Sequence, residues 1–367
     1  WVPKPSFSGD GNGPGVSPVQ PSPQFPGTRD GTPGRPPQSP AASSPVVATH
    51  LNAPDAIAVL PDTTALVGER TTGRILRVQP QPGQPVRAVR TLTGLDTTGG
   101  GGLLDLALSP NFADDSLIFA LITTSSDMRV VDFTLTGPVT PVLTGIPRGA
   151  SGNGGRIAFG DDGRLYVGTN DASTPSLAQN PASLAGKVLR VTDVGTPATG
   201  NPTPSSPVFT SGHHFVAGLC LHAGTNQLIE VEPRGSDGLV HVNALTSGAD
   251  YGWPSPTATS QRPIKTLPAN QQSPGGCAVL GDTLFVTSRD GDDLLSAPLS
   301  VHNGVVTVGS FSAQLKGTFG RLDTVVAALD GSLWLTTSNR DGFGKPVSDD
   351  ERVLHILPSS IAASSPV

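Results

Sequence analysis

The residues best equipped for acid–base chemistry stand in two places. His213 and His214 are adjacent, and Asp171 closes the run SGNGGRIAFGDDGRLYVGTND over 151–171. A histidine titrates near neutral pH, so His214 with a carboxylate such as Asp171 beside it would make a general base and its partner. Neighbouring side chains on a strand point to opposite faces, so the two histidines do not readily share one metal. One is expected to pack and the other to face a channel. Carboxylates come in pairs at Asp114-Asp115, Asp161-Asp162, Asp292-Asp293 and Asp349-Asp350. None has the spacing of an EF-hand, and the turn-forming habit of Asp accounts for them. Arg340-Asp341 and Glu351-Arg352 read as blade-closing ion pairs. Trp253 and Trp334 read as packing between blades rather than stacking on a sugar, and Tyr251 and Trp253, in the loop YGWP, are the better candidates for contacts at a cavity mouth. Cys220 and Cys277 are the only cysteines, too few for a zinc cluster or a disulfide framework. Two readings stand for them: a pair of buried thiols, or one disulfide in an exported protein.

The elements that must position these residues are short strands. The chain has 367 residues, with 45 Gly and 37 Pro, only 14% charged residues and a net charge of −6. No block of Lys or Arg forms a stripe, which argues against nucleic acid as a partner. No apolar run approaches the roughly 20 residues that span a bilayer, so the folded part is expected to be soluble. Residues 1–46 are dominated by Pro, Gly and Ser without a periodic apolar face. They read as a flexible tether, and no secretory signal stands in them. Such a tether suits a protein held off a membrane surface, with contact to the membrane only through a lipid anchor upstream of this chain.

From residue 47 the chain repeats a unit: an apolar run, a turn rich in Asp and Gly, then a second apolar run. The first runs are 56–59, 103–108, 157–159, 216–221, 277–280 and 322–327. The second runs centre on Leu66, Leu117, Leu165, Leu228, Leu284 and Leu333, about 48–63 residues apart, which suits one four-stranded propeller blade with its loops. No long stretch has helical periodicity. The expected fold is all-β, a six-bladed β-propeller over 47–360, followed by a tail over 361–367. A pair of β-sandwiches is the alternative, and it leaves the even spacing unexplained. The runs Gly218-Leu219-Cys220 and Gly275-Gly276-Cys277 look equivalent in adjacent blades, which would bring the cysteines within bridging reach.

The order of motifs resembles a known family. GGGLLDLALSPNF (100–112), NGGRIAFGDDGRLYVGTND (153–171), ASLAGKVLRV (182–191), SGHHFVAGL (211–219), PRGSDG (233–238), DYGWP (250–254) and FGRLDTVVAALDGSLWLTTSNRDGFG (319–344) are similar, in sequence order, to segments of the soluble glucose/sorbosone (aldose sugar) dehydrogenases. It is more closely similar to a diverged lipoprotein relative of that family. The resemblance implies a propeller that holds pyrroloquinoline quinone (PQQ) and Ca²⁺ and oxidises the anomeric carbon of a sugar. In such a site a His takes the hydroxyl proton, an Asp orients it and cations face the developing charge.

Several of the family's positions are changed. Gly152 stands where the family has its catalytic His, and Asp171 where it has the orienting Asp. His214 replaces an Arg, Phe215 an Asn and Gly100 an acid or amide. Arg321, Arg289 and Thr337 are the positions that would hold the cofactor. A second Arg of the last blade aligns with Asp323, and Asp290 is an alternative to Arg289. For calcium the resemblance implies the main-chain carbonyls of Glu232 and Pro233 with the carboxylate of Asp237, while Gly238 replaces a further acid. Loss of the base alone typically costs about 10²–10⁴ in rate. The expectation is therefore a pseudoenzyme without a resident cofactor, an exported cell-envelope module that binds a glycan, a lipid-linked sugar or a protein. The alternative is a PQQ- and calcium-dependent sugar oxidoreductase with altered catalytic residues.

Overall fold

The computed structural model describes residues 44–234, 239–267, 271 and 273–358. Residues 1–43 of the tether, the tail over 361–367 and Asp237 lie outside the described residues. Six antiparallel sheets follow one another along the chain, five with four strands and one with five. Their innermost strands are Pro54–Val59, Leu103–Leu108, Gly155–Phe159, Gly218–His222, Pro274–Leu280 and Leu322–Ala327. Each packs beside the inner strand of the next blade, and the sixth packs beside the first. The fold is a six-bladed β-propeller.

Local chemistry explains the repeated hairpins. Asp62, Asp162 and Asp330 each accept, on Oδ1, the N–H two residues on, from Thr64, Arg164 and Ser332. The residue between is left-handed: Thr63, Gly163 and Gly331. The aspartate thus fixes the turn that joins the inner strand to the second. The second strands Ile118–Thr123, Leu165–Thr169 and Leu333–Thr337 are buried along their whole length. A strand covered on both faces loses the in–out alternation, which is why these segments read as continuous apolar runs. Each pair of neighbouring blades encloses its own apolar cluster.

The sixth blade is completed from the other end of the chain. Its outer strand is Val46–Ala48, antiparallel to Val353–Ile356, so the folded region begins one residue before the boundary at 47. Cys220 and Cys277, on the inner strands of blades four and five, are joined by a disulfide with a Cα–Cα distance of 5.8 Å.

One side chain spans the centre of the ring. The Arg156 guanidinium donates to the main-chain carbonyls of Asp55, Leu104, Ala217 and Gly275, on blades one, two, four and five. It lines both the cavity above it and the channel of about 390 Å³ below it. Arg156 is therefore a hub and a floor at once.

Candidate functional site

Two cavities open where the inner strands begin and the second strands end. The first, the mouth, is about 220 Å³ and sits over Arg156, ringed by Asp55, Arg70, Arg289, Asp323 and Asp341. Its charges are matched in pairs. Arg70 Nε lies 2.6 Å from Asp55 Oδ2, and Arg289 Nε lies 2.9 Å from Asp323 Oδ1. Arg321, close by and buried, is held by Asp341 at 2.9 Å and Asp290 at 3.1 Å. Burial and the neighbouring Asp323 carboxylate push the Asp55 pKa up to about 7, against the pull of Arg70, Arg289 and Arg156. Burial likewise pushes Asp105, below the floor, up to about 6. Burial opposes the Arg289 charge, but Asp323 and Asp55 outweigh it and raise its pKa.

The second cavity, the cleft, is about 490 Å³ and is lined by Gly152, Asp171, His214, Phe215, Pro233 and Trp253, among others. The His214 ring stacks on the Trp253 indole at 4.2 Å between centroids. Trp253 Nε1 donates to Asp171 Oδ2 at 2.9 Å, and the Ser173 N–H donates to Asp171 Oδ1 at 2.9 Å. The Asp171 N–H donates to the His214 carbonyl. His214 Nδ1 lies 3.1 Å from the Pro233 carbonyl oxygen. A carbonyl only accepts, so Nδ1 carries the hydrogen and Nε2 keeps the lone pair.

The sequence-derived positions therefore divide. Gly152, Asp171, His214 and Pro233 come together in the cleft. Gly152 also borders the mouth, has φ +65°, and a Cβ added to it would meet nothing within 4 Å. Asp171 is close to His214, but its carboxylate serves Trp253 and Ser173 rather than the imidazole. Arg289 lines the mouth with Gly100 and Asp323. Thr337 is fully buried, and its hydroxyl donates to Glu351 Oε2 at 2.8 Å, so it does not line either cavity. Glu232 is buried, and its Oε2 accepts the His214 N–H at 2.9 Å. Phe215 lies against Gly154: a Cβ on that glycine would come within 2.4 Å of the ring.

Other expectations need correcting. Tyr251 does not reach a mouth. It is buried, stacks on His213 at 4.9 Å and gives its hydroxyl to the Ala244 carbonyl. His213 and His214 belong to a loop before the inner strand rather than to a strand, and they still point apart, the first fully buried and the second into the cleft. Sequence reasoning passed over Glu230, a fully buried carboxylate beside His213. The signal was present in LIEVEP, where two acids two residues apart share one face of a strand in an otherwise apolar run.

Comparison with known proteins gives a consistent set of relatives. Residues 51–280 match the family model described as Glucose / Sorbosone dehydrogenase. The PQQ-bound aldose sugar dehydrogenase of Streptomyces coelicolor is 36% identical, with a TM-score of 0.78, over 84% of this chain and 95% of that one. A putative oxidoreductase (glucose dehydrogenase) of Thermus thermophilus is 35% identical, with a TM-score of 0.77, over 84% of this chain and 98% of that one. Quinoprotein glucose dehydrogenase B of Acinetobacter calcoaceticus is 28% identical over 250 residues, 57% of this chain and 52% of that protein. The chain thus spans about half the length of that curated relative.

Proposed function

The chain belongs to the glucose/sorbosone dehydrogenase family, and we propose that it has kept the family's propeller as a binding module while losing its catalytic machinery. The observation that carries this reading is the internal neutralisation of the mouth. PQQ bears three carboxylates and needs cations that are not already matched. Here Arg70 and Arg289 each face an aspartate, Arg321 faces two, and Asp323 stands where the family has an Arg. Phe215 covers Gly154, and Gly152 offers no base. The mouth does not fit a trianionic quinone. Calcium on the Pro233 carbonyl would compete with the His214 Nδ1–H already bound there.

The cleft suits a neutral polyhydroxyl ligand. It presents the indole of Trp253, a carboxylate at Asp171 and the side chains of Ser151 and Ser173. Aromatic surface takes the C–H face of a sugar, and fixed polar groups choose among its hydroxyls. Glycans and lipid-linked sugars both present such a face, and we favour them over a protein partner. The disulfide and the Pro/Ser-rich residues 1–46 support a place outside the cytoplasm, in the cell envelope, with a lipid anchor upstream.

The 36% identity to a PQQ-bound sugar dehydrogenase favours a second reading, a quinone-dependent sugar oxidoreductase in which His214 Nε2 replaces the missing base. Titration calorimetry with PQQ, calcium present, separates the two. The binding-module reading expects no heat of binding to the wild-type chain. Micromolar or tighter binding would overturn it and call for a dye-linked aldose screen.

A further inference from the structure

Behind His214, three ionisable side chains converge in the interior. His213, Glu230 and Glu232 are each at most 1% exposed. One atom of each group is already engaged. His213 Nε2 lies 2.8 Å from Thr210 Oγ1. Glu230 Oε2 accepts from Asn243 Nδ2 at 2.7 Å, and Glu232 Oε2 accepts the His214 N–H at 2.9 Å. The remaining atoms face one another. His213 Nδ1 stands 3.9 Å from Glu230 Oε1 and 3.7 Å from Glu232 Oε1. His213 Nδ1 and Glu230 Oε1 have no hydrogen-bond partner, and Glu232 Oε1 has only a long contact of 3.4 Å from Asn243 Nδ2.

A hydrogen-bonding group left without a partner in a dry interior costs about 1–3 kcal/mol, more when it is charged. Two such atoms aimed at one point, with a third carboxylate oxygen beside them, form the ligand set of a cation. The three candidate ligand atoms lie within 4.8 Å of one another. A triangle with sides near those observed puts its centre about 2.2–2.5 Å from each corner, within a few tenths of an ångström of Zn–N and Zn–carboxylate bonds.

We propose that His213 Nδ1, Glu230 Oε1 and Glu232 Oε1 bind a divalent transition-metal ion of the zinc, manganese or iron(II) class. The imidazole ligand selects this class over calcium and magnesium, which take oxygen. The outer contacts fit the role. An Nε2–H donated to Thr210 leaves the lone pair on Nδ1, and Asn243 and the His214 N–H orient the carboxylates. The site differs from a calcium site on main-chain carbonyls, because every ligand is a side chain and one is nitrogen. Tyr251 stacks over His213 and closes it. The ion is accordingly structural and is taken up as the chain folds. It ties the loop before blade four to the second strand of that blade, and so fixes His214 in the cleft. The proposal stands independently of whether the cleft binds a sugar or the mouth a quinone.

The test uses the full chain, unfolded in denaturant with chelator and refolded with or without Zn²⁺, Mn²⁺, Fe²⁺ (anaerobically) or Ca²⁺. Metal content and Tm are read after desalting. The expected result is about one equivalent of a transition metal, a Tm several degrees above the metal-free chain, and a visible ligand-field spectrum with Co²⁺. Calcium should give none of these. Glu230→Gln and Glu232→Gln keep side-chain size and the outer hydrogen bonds. Each should retain the fold by circular dichroism and lose at least about tenfold in metal affinity. Absence of bound metal from correctly refolded wild type would overturn the proposal in favour of a proton shared among the three groups. Metal uptake unchanged in both Gln variants would overturn it by placing the ion elsewhere.

Discussion

The mouth and the cleft share Gly152 and Phe215 and lie side by side, yet they are built from opposite materials. In the mouth, charged groups are abundant and already matched to one another. In the cleft, the groups are few, mostly aromatic or small, and the single carboxylate is oriented by an indole. Matched ion pairs at close range contribute rigidity but offer little to a ligand, since a new charge must first displace a partner that is already in place. Oriented neutral groups keep their second faces for a guest. An arginine in a cavity wall therefore marks an anion site only where no carboxylate already holds it. Arg289 and Arg321 show this, since the aspartates opposite them decide what they do.

The comparison breaks most severely at the floor of the mouth. Arg156→Ala removes donors from four main-chain carbonyls and leaves Asp105 without its nearby cation. We expect a loss of about 3–5 kcal/mol in chemical denaturation, the usual cost of stripping one partner from a buried network. At the cleft, Trp253→Ala removes the stack on His214 and the donor to Asp171. Affinity for a neutral oligosaccharide that binds the wild type should fall at least about tenfold, with stability down by only about 1–2 kcal/mol. An unchanged affinity would move the ligand out of the cleft.

Asp323→Asn sharpens the comparison by unmatching Arg289. Affinity of the mouth for small polyanions should rise about tenfold, the effect of roughly 1.4 kcal/mol from one freed charge. The same variant alters the pH profile. Asp55 is raised to about 7 and Asp105 to about 6 from 3.8, so the folded state holds protons that the unfolded chain has released. Stability from these groups is greatest in acid and is lost as pH rises from about 4 through 6–7. Removing the Asp323 charge lowers the Asp55 pKa, so the decline in Tm across that window should be shallower than in wild type. The smallest effect is expected from Gly152→His, which has room but a left-handed backbone. It should cost about 1 kcal/mol and leave dye-linked sugar oxidation at background.

The propeller was legible because its rule is local and repeated. A turn capped by Asp stands between the two apolar runs in blades one, three and six, and all six inner strands fall where such runs stand. The site was legible only as positions. Gly152, Asp171 and His214 do meet in one cavity, but their partners come from elsewhere in the chain. Arg340-Asp341 and Glu351-Arg352 read as blade-closing ion pairs, and the salt bridges there run from Asp341 to Arg321 and from Arg352 to Asp350. Glu351 instead accepts from the Thr337 hydroxyl and from the main-chain N–H groups of Asn339 and Arg340. Neighbours on a tight turn diverge, so sequence adjacency says little about which charges touch. Tyr251 misled for a similar reason: a loop assignment does not say which of its side chains the core will take up.

The strand Val46–Ala48 also sets an order of events in folding. It is the first of the blades' strands along the chain and must wait for Val353–Ile356, the last. The intervening stretch of about three hundred residues makes this the most distant strand pairing among the described residues and the entropically costliest of them to nucleate alone. Blades one to five each draw their strands from consecutive chain, so they and the disulfide between blades four and five can form before the ring is whole. Until closure, the outer edge of blade six and the free first strand are both unpaired, so the open ring is the state most exposed to aggregation.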